Sequence, residues 1–218
     1  MRQINSNYSD PLNIVWTELS KQLGFDIVRD PEVFAAFDGV RVLRIGTPET
    51  LDPDDSLGQM VLHELCHALV EGPEAMRTPD WGLDFDNPSH RAHEFATLRL
   101  QASFADHVAM RDFFASTTDF RWYFDLIPND SLHSRVDPDS VSRVLGSSVS
   151  LVQESELSLS DLESVFADDR SAIDMAQKGR LTAHREKWLE PIMVAINRTA
   201  SLATVIREIA PDGSIWKL

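Results

Sequence analysis

Cysteine is nearly absent: Cys66 stands alone in 218 residues, so no intrachain disulfide can form and nothing signals an oxidising compartment. Basic residues are scarce, 20 lysines and arginines against 35 acids, which leaves a formal charge of −15. That balance argues against nucleic acid, whose phosphates need clustered lysine and arginine, and permits a cationic substrate or protein partner. No run approaches the roughly 20 apolar residues that span a bilayer. The opening segment MRQINSNYSDPLN lacks the apolar stretch of a signal peptide. Internal repeats and low-complexity segments are missing too. The expectation is a soluble, cytoplasmic protein with no nucleic-acid or membrane partner, forming a single domain over residues 1–218.

What is present is patterned. Asp10-Pro11 reads as a helix start, followed by Leu12, Val15, Trp16, Leu19 and Leu23 at helical spacing and a stop at Gly24. Phe25, Ile27 and Val28 suggest a short extended piece, and Val40 to Gly46 alternates apolar and basic residues like a strand. Ser56 is placed to cap a helix from about Leu57 to Val70, which Gly72-Pro73 ends. Glu74 to Ser89 reads as irregular, and a second helix is expected from about Ser89 to Met110. The aromatic-rich stretch DFFASTTDFRWYFDLIPND is expected on the core. From Asp137 onward the pattern is mostly helical, with starts at Asp137-Pro138 and Ser160-Asp161 and a kink or break at Pro191. The serine-rich residues 146–160 read as a loop. The fold class is α+β, mostly helical with a small β-sheet.

The chemistry concentrates in His63-Glu64-Leu65-Cys66-His67. Residues four apart share a helix face, so His63 and His67 can offer two imidazole nitrogens to one ion. Glu64 lies beside that face, in reach of the ion's immediate surroundings. His-Glu-x-x-His on a helix is a zinc-protease signature, and Glu-x-x-His also occurs in carboxylate-bridged iron sites. The pattern arises by chance as well; its place mid-helix among Leu62, Leu65, Ala68 and Leu69, after a strand, favours a metal site. Cys66 reads as a small buried helix residue.

A third ligand should come from a second helix. Glu94, beside Phe95 and Ala96, is the best candidate, because a buried carboxylate is costly unless paired or metal-bound. His93 and His90 are rivals. Two histidines and a carboxylate suit iron that activates oxygen, and they equally match zinc hydrolases.

The ordered set His63-Glu64-Leu65-Cys66-His67, Gly72, Arg77, Asp80-Trp81-Gly82, Glu94 and Gln101-Ala102 resembles the bacterial elongation factor P hydroxylase family. That family has a His-Glu-x-x-His helix, a glycine, a basic residue, an Asp-[Phe/Trp]-Gly step, and a second helix with the third carboxylate and a Gln-Ala pair. The resemblance covers about residues 40–105. It implies a metal-dependent hydroxylase acting on a modified lysine side chain of a translation factor, or on a related small molecule. His63, His67 and Glu94 would be the ligands. Glu64 would orient or deprotonate a species at the metal, and Asp80 would hydrogen-bond a ligand imidazole. Asp80-Trp81-Gly82 reads equally as a tight turn. Two chemistries follow: Fe(II)-dependent hydroxylation, or zinc-dependent peptide hydrolysis with Glu64 as general base. The second needs an oxyanion donor, for which His133, His184, Tyr123 and several arginines are candidates. A non-enzymatic metal-stabilised scaffold would more often use four ligands including cysteine.

Overall fold

The computed structural model describes residues 11–52, 54–84, 87–116, 120–149 and 159–209. It is mostly helical with one three-stranded sheet, the expected α+β class. Helix α1 (Pro11–Gln22) starts at the expected proline, and Gly24, at φ +94°, turns the chain into strand β1 (Asp26–Arg29). Asp10, the expected cap, lies outside the described residues. Strand β2 (Ala35–Phe37) is an element that sequence pattern did not suggest; three residues are too short to display alternation. Strand β3 (Val42–Ile45) lies at the centre of the sheet, parallel to β1 and antiparallel to β2. Its alternation works as the sequence suggests: Leu43 and Ile45 are buried, while Arg44 is exposed and pairs with Asp30 at 3.5 Å.

Helix α2 (Leu57–Glu71) carries the His-Glu-x-x-His turn. Its start is fixed by a reciprocal cap: Gln59 N–H donates to Ser56 Oγ at 3.1 Å, and Ser56 N–H donates to Gln59 Oε1 at 3.0 Å. Most of its residues are buried, because it passes through the middle of the molecule between the sheet, α1 and the later helices. Gly58 allows α1 to approach, since a Cβ there would lie 2.5 Å from Trp16 Nε1.

Between α2 and α3 run three short 3₁₀ turns, Ala75–Arg77, Pro79–Gly82 and Pro88–His90. Helix α3 (Arg91–Asp106) is shorter than expected at both ends. Pro88 to His90 form the separate turn before it, and Ala109, at φ +52°, leaves the helical region before Met110. Helix α4 (Arg121–Leu126) and the preceding aromatic stretch place Phe113, Phe114, Tyr123 and Phe124 in the core. Helices α5 (Pro138–Val149), α6 (Leu159–Arg185) and α7 (Leu189–Ile209) complete the chain. The expected break near Pro191 falls earlier, where Lys187 adopts φ +61°; Pro191 itself sits in the first turn of α7, where its missing N–H leaves no helical bond unmade. The described ends of the serine-rich stretch, residues 146–149 and 159–160, are helical and not loop, and residues 150–158 lie outside the described residues.

The C-terminal helices share one hydrophobic cluster with the rest, running from Leu12 to Ala203. Helix α6 lies along α2 and α3, and Gly179 makes the approach possible: a Cβ there would come within 3.1 Å of Leu100 and 3.2 Å of Val70. Trp16 Nε1–H donates to Thr199 Oγ1 at 3.1 Å, tying α1 to α7.

A buried ionic cluster fastens α3 to α6. Arg99 is fully buried and pairs with Asp169, itself 1% exposed. Its Nε–H also donates to Tyr123 Oη at 2.7 Å, and its Nη1–H groups donate to the carbonyls of Ser131 and Ser134. Tyr123 Oη–H donates to Asp169 Oδ1 at 2.7 Å, and the Tyr123 ring stacks on Phe95 at 3.6 Å. Removing one member strands a buried charge. Asp169→Ala should therefore destabilise the fold by about 3–5 kcal/mol in urea unfolding, against about 1–3 kcal/mol for Tyr123→Phe.

Candidate metal centre

Helices α2 and α3 pack side by side, and their facing sides bring His63, His67 and Glu94 together. Glu94, Thr97 and Gln101 fall on one face of α3, three and four residues apart. His67 is fully buried, Glu94 is 5% exposed, and His63 is partly open to a cavity of about 210 Å³.

Hydrogen bonds at the far ring nitrogens decide what the near ones present. Gln101 Nε2–H donates to the Phe114 carbonyl at 2.7 Å, which orients the amide and turns Oε1 toward His63. His63 Nδ1 lies 2.9 Å from that oxygen, so Nδ1 carries the proton and Nε2 holds a lone pair. His67 Nδ1 meets Thr97 Oγ1 at 3.1 Å, which leaves His67 Nε2 facing the same point. The two Nε2 atoms are 3.0 Å apart. Glu94 Oε1 lies 3.5 Å from His63 Nε2, and Oε2 lies 3.2 Å from His67 Nε2. Both Nε2 atoms and the carboxylate thus face one point; the Thr97 hydroxyl can donate or accept, so His67 Nε2 can carry a proton shared with His63 Nε2 or present a lone pair to a cation. Such an arrangement can hold a cation at its centre.

The spacing fits a metal ion. Bonds of about 2.1 Å at angles between octahedral and tetrahedral set donor atoms about 3.0–3.4 Å apart. Glu94 Oε2 is buried and makes no well-aligned hydrogen bond, its charged neighbour being His67 Nε2 at 3.2 Å, so it can also accept a cation placed between them. His63, His67 and Glu94 therefore fit a divalent cation held from one side.

Protons can supply the positive charge instead. Burial opposes the charged form of His67, but the carboxylates around it, Glu94 first and then Glu64 and Glu71, together outweigh burial and raise the imidazole above its ordinary 6.5. Burial likewise opposes ionised Glu94, and the two imidazoles outweigh it, holding the carboxyl below its ordinary 4.5.

The cavity's described walls include Phe34, Ala35 and Ala36 of the β2 region, Met60, Asp52, Ser116 and Phe120. Glu64 also lines it, and its Oε2 accepts from Trp81 Nε1–H at 2.8 Å. Trp81 is 3% exposed and stacks on Phe37 at 3.9 Å. Asp80, Trp81 and Gly82 all take left-handed backbone, at φ 48°, 59° and 77°. For the two non-glycine residues that conformation is strained, and it persists here in the turn that forms the cavity floor.

Asp80 has a different partner from the one expected. Its Oδ1 accepts from Phe37 N–H at 2.9 Å, and the ring nitrogens expected to need it face Gln101 and Thr97. Asp80 thus fastens its own turn to the sheet while lining the cavity. The rival ligands point elsewhere: His93 Nδ1 pairs with Glu71 at 2.8 Å, and His90 Nδ1 accepts from Asp84 N–H at 2.8 Å. Cys66 is buried as expected, with its thiol pushed well up by burial. Arg77 pairs with Glu74 at the surface. Tyr123 belongs to the Arg99 cluster, His133 pairs with Asp130 in solvent, and His184 is exposed. Thr97, Ser116 and the β2 wall went unrecognised in the sequence. Thr97 was within reach of periodicity, three residues after Glu94; Ser116 and β2 arrive by tertiary packing.

No family model, curated protein or solved structure compared with the chain matches it.

Two outcomes follow for the metal. Gln101→Leu should lower zinc affinity about 10- to 100-fold, measured by chelator competition, while Gln101→Glu, which keeps the acceptor, should lose less. Affinity should also rise with pH, about tenfold per unit for each proton displaced, until His67 is deprotonated. In the metal-free protein the raised His67 stabilises fully below 6.5, and that contribution fades as pH rises through its folded value. The depressed Glu94 stabilises fully above 4.5 and fades as pH falls. Metal-free stability from this pair should therefore peak between 4.5 and 6.5 in urea titrations run across pH.

Proposed function

We propose that the protein is a metal-dependent hydroxylase that uses ferrous iron on His63, His67 and Glu94. The observation that carries this reading is the buried Glu94 carboxylate beside two converging imidazole nitrogens. A ligand set of two histidines and one carboxylate on one side leaves positions open for reactants, as in non-heme iron oxygenases. Bound there, iron would supply dioxygen activation for the conversion of C–H, dioxygen, two electrons and two protons to C–OH and water, an external donor providing the electrons.

The chain's own residues do the rest. Gln101 and Thr97 hold the two rings in register. Trp81 holds Glu64 at the cavity wall, where its carboxylate can pass a proton to or from a reactant. Met60, Phe120, Phe34 and Ala35 give the cavity apolar walls that limit water around the reacting carbon. The residue order from His63 to Gln101, similar to the elongation factor P hydroxylases, supports a modified lysine of a translation factor as substrate and a cytoplasmic setting. No helix among the described residues is long and apolar enough to cross a membrane.

A zinc hydrolase remains the second reading, favoured by Glu64 facing the same cavity as the ligands. Against it, the described cavity lining contains no lysine, arginine or tyrosine to hold an oxyanion.

Aerobic incubation of the ferrous protein with elongation factor P, its modified lysine in place, and a two-electron donor should add the mass of one oxygen atom to that factor. His63→Ala, His67→Ala and Glu94→Ala should each abolish the gain. Zinc-dependent cleavage of a peptide, abolished by Glu64→Gln and unaccompanied by oxygen uptake, would select the hydrolase instead.

A further inference from the structure

Strand β2 has one edge in the sheet and the other in the cavity. In an antiparallel ladder, alternate residues turn both backbone groups toward the partner strand. Asp38 N–H donates to Val42 O at 3.1 Å, and Gly46 N–H donates to Phe34 O at 2.8 Å. The same register sets Ala36 opposite Arg44. Residues 34, 36 and 38 thus face β3, and residues 35 and 37 turn their N–H and C=O groups off the sheet. The outward N–H of Phe37 donates to Asp80 Oδ1 at 2.9 Å, as this parity requires. Two residues earlier, Ala35 lines the same cavity as His63 and Glu94.

Exposed sheet edges are usually covered or blunted, because they template pairing with another strand. At Phe37 the Asp80 turn provides the cover. At Ala35 the edge borders the cavity that holds the candidate metal centre.

We propose that an extended peptide pairs with the outer edge of β2 at Ala35 and presents a basic side chain to the metal centre, a proposal that rests on reading this cavity as the active site. Main-chain pairing of this kind supplies affinity, while pockets for alternate side chains supply specificity. Charge selects the basic side chain. Asp52, Glu64, Asp80 and Glu94 line the cavity, and no lysine or arginine does so among the described residues. A divalent cation on the ligand set, net of Glu94, leaves one positive charge facing three carboxylates. Two features suit a polymer rather than a free amine. Phe34, 58% exposed, stands at the cavity wall as an apolar contact for a neighbouring residue. Ser116 Oγ is buried in the lining without a hydrogen-bond partner, available to a polar group of the bound chain.

Ala35→Pro tests the edge. Proline there removes an outward N–H and no ladder bond, a position where sheets tolerate it. The probe is a randomised seven-residue peptide library with a central lysine, capped at both ends, added to the full chain loaded with zinc. The comparators are the same library with central glutamate, the lysine library with N-methylated backbone, and a single capped lysine.

The lysine library should slow hydrogen exchange at the Ala35 amide, and its affinity should exceed that of all three comparators. Ala35→Pro should weaken binding about five- to tenfold with zinc content and thermal midpoint unchanged. Equal affinity for the N-methylated library, or for the single lysine, overturns strand pairing whether or not the proline variant folds. Equal affinity for the glutamate library overturns the basic side chain. Zinc bound without Ala35 protection overturns the docking and leaves the metal centre standing. Protection at Ala35 with no zinc bound supports the docking and removes the metal reading.

Discussion

Two imidazole nitrogens held 3.0 Å apart, with a buried carboxylate alongside, need a proton or a cation between them. Much of the architecture around the cavity serves to keep that confrontation in place. Gln101, itself anchored to the Phe114 carbonyl, forbids His63 from turning its protonated nitrogen inward. The centre is therefore filled by a proton on His67 Nε2 or by a cation. Protons and cation compete for the same lone pairs, which makes pH and metal two settings of one equilibrium.

The supports of the site come from different parts of the chain. Helix α2 brings both histidines and Glu64 because its capping box fixes where the helix starts. Helix α3 brings the carboxylate and both ring-orienting groups on a single face. The left-handed turn at Asp80 and Trp81 links these to the sheet: Asp80 grips Phe37, and Trp81 grips Glu64. The strain of that turn is sustained by the indole stacked on Phe37 and by the two hydrogen bonds.

How far the sequence revealed this depends on the range of each signal. Helix α2, its cap at Ser56 and its stop at Gly72 were legible because their causes are local. His63 and His67 were legible because four residues make one helical turn. Glu94 stood out as a carboxylate in an apolar stretch, which is a statement about burial cost. Asp80 reads either as an imidazole partner or as part of a tight turn; the turn is what forms, and its carboxylate caps β2, a three-residue strand that carries no periodic signal of its own. Ser116 and the Arg99–Tyr123–Asp169 cluster depend on segments far apart in sequence, and no local pattern encodes their meeting. The C-terminal helices were read correctly as helices, but which side of α3 they would brace was not readable from their own residues.

That brace has an evolutionary consequence. Arg99 lies between Thr97 and Gln101 on α3, turned to another side of the helix, and its counter-charge is delivered by α6. Asp169, a residue that touches neither ring, thus anchors the helix that carries Glu94, Thr97 and Gln101. Substitutions tolerated in the N-terminal half should depend on the state of the C-terminal half, and the two would be expected to drift as a coupled pair. A lineage that lost or replaced the long C-terminal helices would have to find a new anchor for the middle of α3 before it could keep the chemistry in front of it.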